Sequence, residues 1–219
     1  MLKPEDIMRG CEGLVAVWLS VAPLHEEEFN AWYRFEHLDD MIGLEGFYSG
    51  RRYASDWLYP KYLALYETDD EKAETGPAFT HMINHPTSWS ARMRTYYGQD
   101  RKRDNYKRIG LAMRNGSPYG NALLMLHASA APDKAAEVES WYATNATAAL
   151  EVPGCTAARF YRTVAGARGY LELYDFADAE VLGTSEWYRF LTERRRGVAH
   201  HLVDSIQQRY RSLGMERTR

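Results

Sequence analysis

Apolar and polar positions follow two rhythms along this chain, and the same succession of rhythms occurs twice. Residues 13–21 read GLVAVWLSV, a nearly continuous apolar run that predicts a strand covered on both faces. Pro23 then opens a stretch with Glu26, Glu27 and Glu28 in its first turn, where carboxylates suit the positive end of a helix. Phe29, Trp32, Tyr33, Glu36, His37, Asp40 and Met41 recur at helical spacing and predict one face, with Gly43 as the stop. GFYSGRRY over 46–53 and PKYLALYE over 60–67 predict two more strands. In the second of these, Tyr62, Ala64 and Tyr66 share one face and Leu63 and Leu65 the other. Residues 70–99 read as partly helical, broken at Pro77 and Pro86, and a last strand is expected over 106–113.

The second half repeats this order. Strands are expected over 121–128, 154–163 and 169–176, a helix over 132–150, helical structure over 178–201, and a closing strand over 204–213. Individual residues recur as well. Pro23, Trp32 and Tyr33 return as Pro132, Trp141 and Tyr142, and Gly46, Arg51, Tyr62 and Tyr66 as Gly154, Arg159, Tyr170 and Tyr174. One modest unit is therefore paired with itself. Strand–helix–strand–strand–helix–strand is the ferredoxin-like unit, whose sheet carries helices on one face and leaves the other to be covered. The expected fold is α+β: two tandem ferredoxin-like βαββαβ repeats, 1–113 and 114–219, packed sheet to sheet as a dimeric α+β barrel within one chain. The stretch 101–120, charged and then bearing Gly and Pro, is the expected link.

One local string is more specific. Phe29-x-x-Trp32-Tyr33-x-x-Glu36-His37-Leu38 resembles the W-Y-x-x-E-H-L-P motif in the first helix of EthD-like proteins of the dimeric α+β barrel superfamily. Gly46-Phe47, Arg51-Arg52-Tyr53 and the run Lys61 to Glu67 fit the same pattern. Asp39 stands where that motif has proline. The resemblance implies a fold that hosts cofactor-free monooxygenases, cyclases, lactone isomerases and haem enzymes, and it places the family's histidine at His37. Fold alone fixes no reaction.

Comparing the copies sharpens the candidate chemistry. Trp and Tyr are kept at the helix, as packing requires, but Arg34, Glu36, His37 and Asp40 have no charged counterpart in Ala143, Asn145, Ala146 and their neighbours. This one-sided loss predicts one functional cavity, in the first repeat, and one degenerate one. His37 is the candidate general base or acid, with Asp40 or Glu36 to orient it. On a regular helix Glu36 and His37 do not point the same way. Arg52 becomes Phe160 in the second copy whereas Arg51 is repeated as Arg159, so Arg52 is the candidate to polarise a carbonyl. Tyr62, Tyr66, Trp18, Trp32 and Tyr33 are the candidate substrate-binding residues; Trp18 is replaced by His127 in the second copy.

The remaining features mostly exclude. The net charge of −3 gives no general case for nucleic acid or membranes. The basic, aromatic stretch 92–108, with Asp100 and Asp104 among its arginines, reads as a solvated face or linker. His81 and His85 are four apart but lack the intervening glutamate of a metalloprotease helix, and Pro86 follows at once, so no metal site is expected. His200-His201 and the arginines 194–196 read as surface. Two cysteines make no disulfide framework and fit a reducing compartment. Residues 1–13 lack the apolar core of a secretory signal, and no apolar run approaches the roughly 20 residues of a membrane span. The expectation is a cytoplasmic, cofactor-free enzyme (haem left open) acting on a small apolar, aromatic or cyclic carbonyl compound as isomerase, cyclase or lyase. The alternatives are a haem- or oxygen-dependent barrel enzyme and a non-catalytic carrier of an apolar ligand. Further association into a homo-oligomer is left open.

Overall fold

Strand alternation decides which residues meet the helices and which do not, and a computed structural model of the chain shows the outcome for residues 3–97, 101–115, 118–164 and 169–219. The calls on Gly98–Asp100 and on Gly116–Ser117 of the expected link lie outside the described residues. The first half runs α1 (Pro4–Gly10), β1 (Gly13–Leu19), α2 (Glu26–Trp32), a π-helical turn (Tyr33–His37), α3 (Leu38–Ile42), β2 (Phe47–Ala54) and β3 (Tyr62–Thr68). It continues with α4 (Pro77–Asn84), α5 (Ser88–Tyr96) and β4 (Lys102–Met113). The second half runs β5 (Ala122–Ala130), α6 (Ala135–Asn145), β6 (Cys155–Thr163), β7 (Tyr170–Phe176), α7 (Ser185–Gly197) and β8 (Leu202–Thr218).

The strands fall where the apolar runs put them. Two expectations change. Pro77 does not break a helix but opens α4 at its first position, where a missing N–H costs nothing. The expected link is mostly β4, twelve residues long; its alternating charges are compatible with a strand whose outer face is wet.

The chain forms two compact units, Met1–Asn105 with Leu213–Arg219, and Tyr106–Ser212. The change of unit falls within β4 and again within β8, so both long strands are divided. In the first unit β3 lies between β1 and β2, antiparallel to both. Tyr62, Ala64 and Tyr66 of β3, with Val15 and Leu19 of β1, pack against Phe29, Trp32, Tyr33 and Leu38. In the second unit β5 lies between β8 and β7, and β6 between β7 and β4. Its core joins Leu124, Val138, Tyr142, Phe160 and Tyr174 to Trp187 and Phe190 of α7. Gly46 and Gly154 recur because both enter their strand at a positive φ, +83° and +85°, which only glycine adopts freely.

The two cores are finished differently. Thr87 and Thr184 cap α5 and α7 in the same way, each accepting from the N–H three residues on. The residues that donate are Ser90 in the first unit and Trp187 in the second, and the indole of Trp187 is 1% exposed. Glu172, at the place of Ala64 in the repeat, accepts from Tyr142 at 2.7 Å, from Tyr174 at 2.6 Å and from Arg194 Nε at 2.6 Å. The second unit thus fills with an indole and a buried ion pair the region that the first leaves to a serine and a methyl group. Removing one partner of a buried pair strands the other charge. Glu172→Leu is expected to lose about 3–5 kcal/mol in urea unfolding, and the double variant Glu172→Leu/Arg194→Met to lose clearly less.

Candidate active site

The helix carrying the polar string Glu36-His37 is irregular at those residues. Leu38 N–H donates to the Tyr33 carbonyl five residues back and so passes over the Arg34 carbonyl that an α-helix would use. That carbonyl instead accepts from Arg217 Nη2 at 2.7 Å, while Arg217 Nε holds Asp39 at 2.7 Å. The wider turn changes which side chains are neighbours. In a regular helix residues five apart diverge by about 140°, yet the Trp32 and His37 rings stack with centroids 4.2 Å apart and planes 17° from parallel. Tyr33 meets the same imidazole edge-on, at 5.0 Å.

Trp32 is fixed in its turn by Glu36. Glu36 Oε1 accepts from the Trp32 indole at 3.1 Å, from Thr87 at 2.6 Å and from Ser90 at 2.9 Å. One carboxylate oxygen therefore ties α2 and the π turn to the start of α5. Glu36 does not orient the imidazole directly; it orients the indole on which the imidazole lies.

A cavity of roughly 340 Å³ opens beside this stack, a volume suited to a small organic ligand. Val17 and Leu19 of β1, Tyr66 of β3, Met41 of α3, Phe79 and Met82 of α4 and Tyr97 form its apolar wall, and His37, Asp40, Ser90, Arg94, Arg101 and Arg103 add polar groups. The cavity lies on the helix-covered face of the sheet. Burial, and then the positive charges of Arg52, Arg94 and Arg101, push the His37 imidazole down to about 3, so it is neutral at ordinary pH. Among the described residues no group hydrogen-bonds its ring. Burial, and then the neighbouring Tyr33 phenol, raise the Tyr66 phenol well above the usual range. Asp40 is raised by burial and by the charges of Glu36 and Asp39.

Of the residues singled out from sequence, His37, Asp40, Trp32, Tyr33 and Tyr66 line the cavity, and Glu36, Arg52, Tyr62 and Trp18 do not. Arg52 is 1% exposed and serves the core. Its guanidinium sits 3.8 Å from the Tyr33 ring centre and 4.8 Å from those of Phe29 and Tyr62, and it donates to Asn30 at 2.8 Å. Three aromatic faces offset much of the cost of burying that charge. Tyr62 accepts from the same Asn30 at 3.3 Å and belongs to this network. Trp18 lies between Val17 and Leu19 on β1, so alternation turns it to the opposite face of the sheet, with Lys102 4.9 Å above its ring. Asp40 makes no contact with the His37 ring.

Sequence reasoning missed the arginines. Arg94, Arg101 and Arg103 were read as a solvated face, and the structure places all three on the cavity wall. The available signal was their interleaving with Tyr96, Tyr97 and Met93, which a wholly solvated helix does not need. His81 and His85, whose rings stack at 4.2 Å, also border the cavity, but they are exposed. Among the described residues no group of three or more histidine, cysteine, aspartate or glutamate side chains is placed to hold a metal ion. No helix there is long and apolar enough to cross a membrane.

Solved structures with this arrangement exist. A candidate monooxygenase of Lactobacillus acidophilus superposes with a TM-score of 0.65 at 10% identity, covering 92% of this chain and 94% of its own. A candidate monooxygenase of Fusobacterium nucleatum gives 0.65 at 8% identity, with 95% of each chain covered. An anthrone oxidase-like protein gives 0.64 at 10% identity, covering 99% of this chain and 95% of its own. The fold is the dimeric α+β barrel. At these identities the likeness establishes the fold alone, one that small-molecule enzymes use. No family model matches this barrel's sequence, and no curated protein does, so the finer EthD-like resemblance has no support from those comparisons.

The His37 environment has a measurable consequence. The imidazole binds a proton near 6.5 in the unfolded chain and only near 3 in the folded one. The unfolded state therefore takes up a proton that the folded state refuses across that window. This contribution to stability is complete above about pH 6.5 and falls by up to about 1.4 kcal/mol per pH unit as the solution is acidified. His37→Gln is expected to flatten the acid limb of the stability curve. In NMR, the His37 ring signals of the native protein are expected to stay unshifted from pH 8 to pH 5.

Proposed function

We propose that this protein is an enzyme that takes a proton from carbon next to the carbonyl of an aromatic or cyclic compound, with His37 as the base. The observation that carries the reading is a neutral imidazole stacked on Trp32 at a cavity wall, with no hydrogen bond to its ring nitrogens among the described residues. The aromatic and apolar wall suits a flat substrate. The Tyr66 hydroxyl, on the cavity wall beside Tyr33, is the donor for the substrate's carbonyl oxygen, and its raised pKa keeps it protonated. In the empty cavity the imidazole is a weak base. An enolate forming beside it offsets the surrounding arginine charge and so strengthens the base as the proton moves. Glu36 and Arg52 act at one remove, through Trp32 and Tyr33. Two buried cysteines outside any disulfide, Cys11 and Cys155, suit a reducing, cytoplasmic setting.

The names of the structural neighbours favour one continuation. An enolate of the anthrone type is electron-rich enough to reduce dioxygen without a cofactor. In that outcome a CH₂ group becomes a carbonyl, one atom of O₂ enters the product and the other leaves as water. Isomerisation, cyclisation or elimination would share the first proton transfer and differ after it.

Anthrone in anaerobic D₂O tests the first step alone. The wild-type protein is expected to speed deuterium uptake at its methylene carbon, read by NMR, and His37→Gln to abolish the acceleration while anthrone affinity stays within a few-fold. Equal acceleration by both proteins would sink the assignment of His37. In air, one O₂ consumed per anthrone would establish the oxygenase outcome. A binding-competent wild type with no exchange would instead mark a carrier, and a Soret band on the purified protein would mark a haem protein.

A further inference from the structure

Three arginines border the cavity, and they are not equivalent. Arg103 Nη1 lies 3.2 Å from Glu74 Oε1, with its guanidinium over the Phe79 ring at 5.2 Å. Its charge is answered within the protein. Arg94 is different. Its Nη1 donates to the Ile83 carbonyl at 2.7 Å, a contact that fixes the direction of the fork without neutralising it. Its remaining N–H groups have no carboxylate partner among the described residues. Arg101, at the exposed rim, lies 5.7 Å from the Tyr97 ring centre and likewise has no carboxylate partner among the described residues.

The charges around the cavity do not balance. Among the described residues Arg94, Arg101 and Arg103 face Asp40 and Glu74, which leaves an excess of one positive charge there when the histidines are neutral. Burial raises both acids, opposing their ionisation, so the excess is not smaller than this. An oriented guanidinium fork that lacks a partner in a partly desolvated site is matched by a planar carboxylate. A single excess charge suits a monoanion better than a phosphate dianion.

We infer that the occupant of this cavity is an aromatic or cyclic carboxylate, its carboxyl group held by Arg94 with Arg101 at the rim and its ring lying between Phe79, Tyr97 and the Trp32–His37 stack. The inference rests on the reading of the cavity as the substrate site and adds the substrate's charge class. It assigns the carboxylate to one end and leaves the reacting carbonyl to Tyr66 and His37 at the other.

Binding, without turnover, tests this. The probes are 2-naphthoate and its uncharged analogue 2-naphthamide, followed by calorimetry and by quenching of tryptophan fluorescence. The wild-type protein is expected to bind the acid at least about tenfold more tightly than the amide, as a charge-assisted pair predicts, and to lose that preference as salt is raised. Arg94→Gln, with its fold checked by circular dichroism, is expected to remove most of the preference while leaving the amide affinity within about twofold. Arg94→Lys is expected to restore only part of it. His37→Gln is expected to keep the preference, so failure of the proton-transfer reading and failure of the carboxylate site give different results. Equal affinity for acid and amide in the wild type, a preference untouched by Arg94→Gln, or no binding of either probe would overturn the inference.

Discussion

Glu36 Oε1 accepts three hydrogen bonds, from an indole on its own helix and from two hydroxyls at the start of α5. Much else is set by it. The indole can lie only one way once its N–H is held, and the imidazole of His37 can stack on it only because the helix widens by one residue between Tyr33 and His37. An extra residue in a helical turn forfeits regular bonding, and this one is compensated by Arg217 at the skipped carbonyl. The polar string along the helix therefore works as a mechanical unit. Glu36 fixes Trp32, Trp32 seats His37, and Tyr33 separates that pair from the buried guanidinium of Arg52.

The second unit shows what the same chain does without this device. Its helix α6 ends in an ordinary 3₁₀ segment over Ala146–Glu151, and the ionisable residues are gone. Trp187 and the Glu172–Arg194 pair occupy its interior. The second unit thus packs a region that the first leaves open beside its cavity. The glycines and tyrosines shared by both units mark what the sheet and its turns require; the residues unique to the first mark what the cavity requires.

Much of this was legible in the residues. The strands follow from apolar runs, the repeat from Trp-Tyr and Gly pairs, and His37 from a comparison of copies that needs no coordinates. What was not legible has definite causes. A π turn leaves no compositional trace, so the joint use of Trp32 by Glu36 and His37 could not be foreseen. The side of the sheet that holds the cavity depends on strand register, which turns Trp18 away and leaves Val17 and Leu19 on the wall, whereas Arg52 shares the helix-covered face but is taken up by Phe29, Tyr33 and Tyr62. Arg94, Arg101 and Arg103 look solvated in one dimension because charge-rich sequence gives no sign of the wall it will border.

The divided strands carry a consequence for how the site comes into being. Met215 lies 3.9 Å from Arg52, and Arg217 clasps both Asp39 and the Arg34 carbonyl, although about 180 residues separate these partners along the chain. The helix bearing His37 is synthesised well before its brace. Contacts of such long sequence separation form late. Until Leu213–Arg219 has joined the first unit, the helix that carries His37 lacks this brace, and clipping a few residues after Ser212 would loosen that helix without touching the cavity itself.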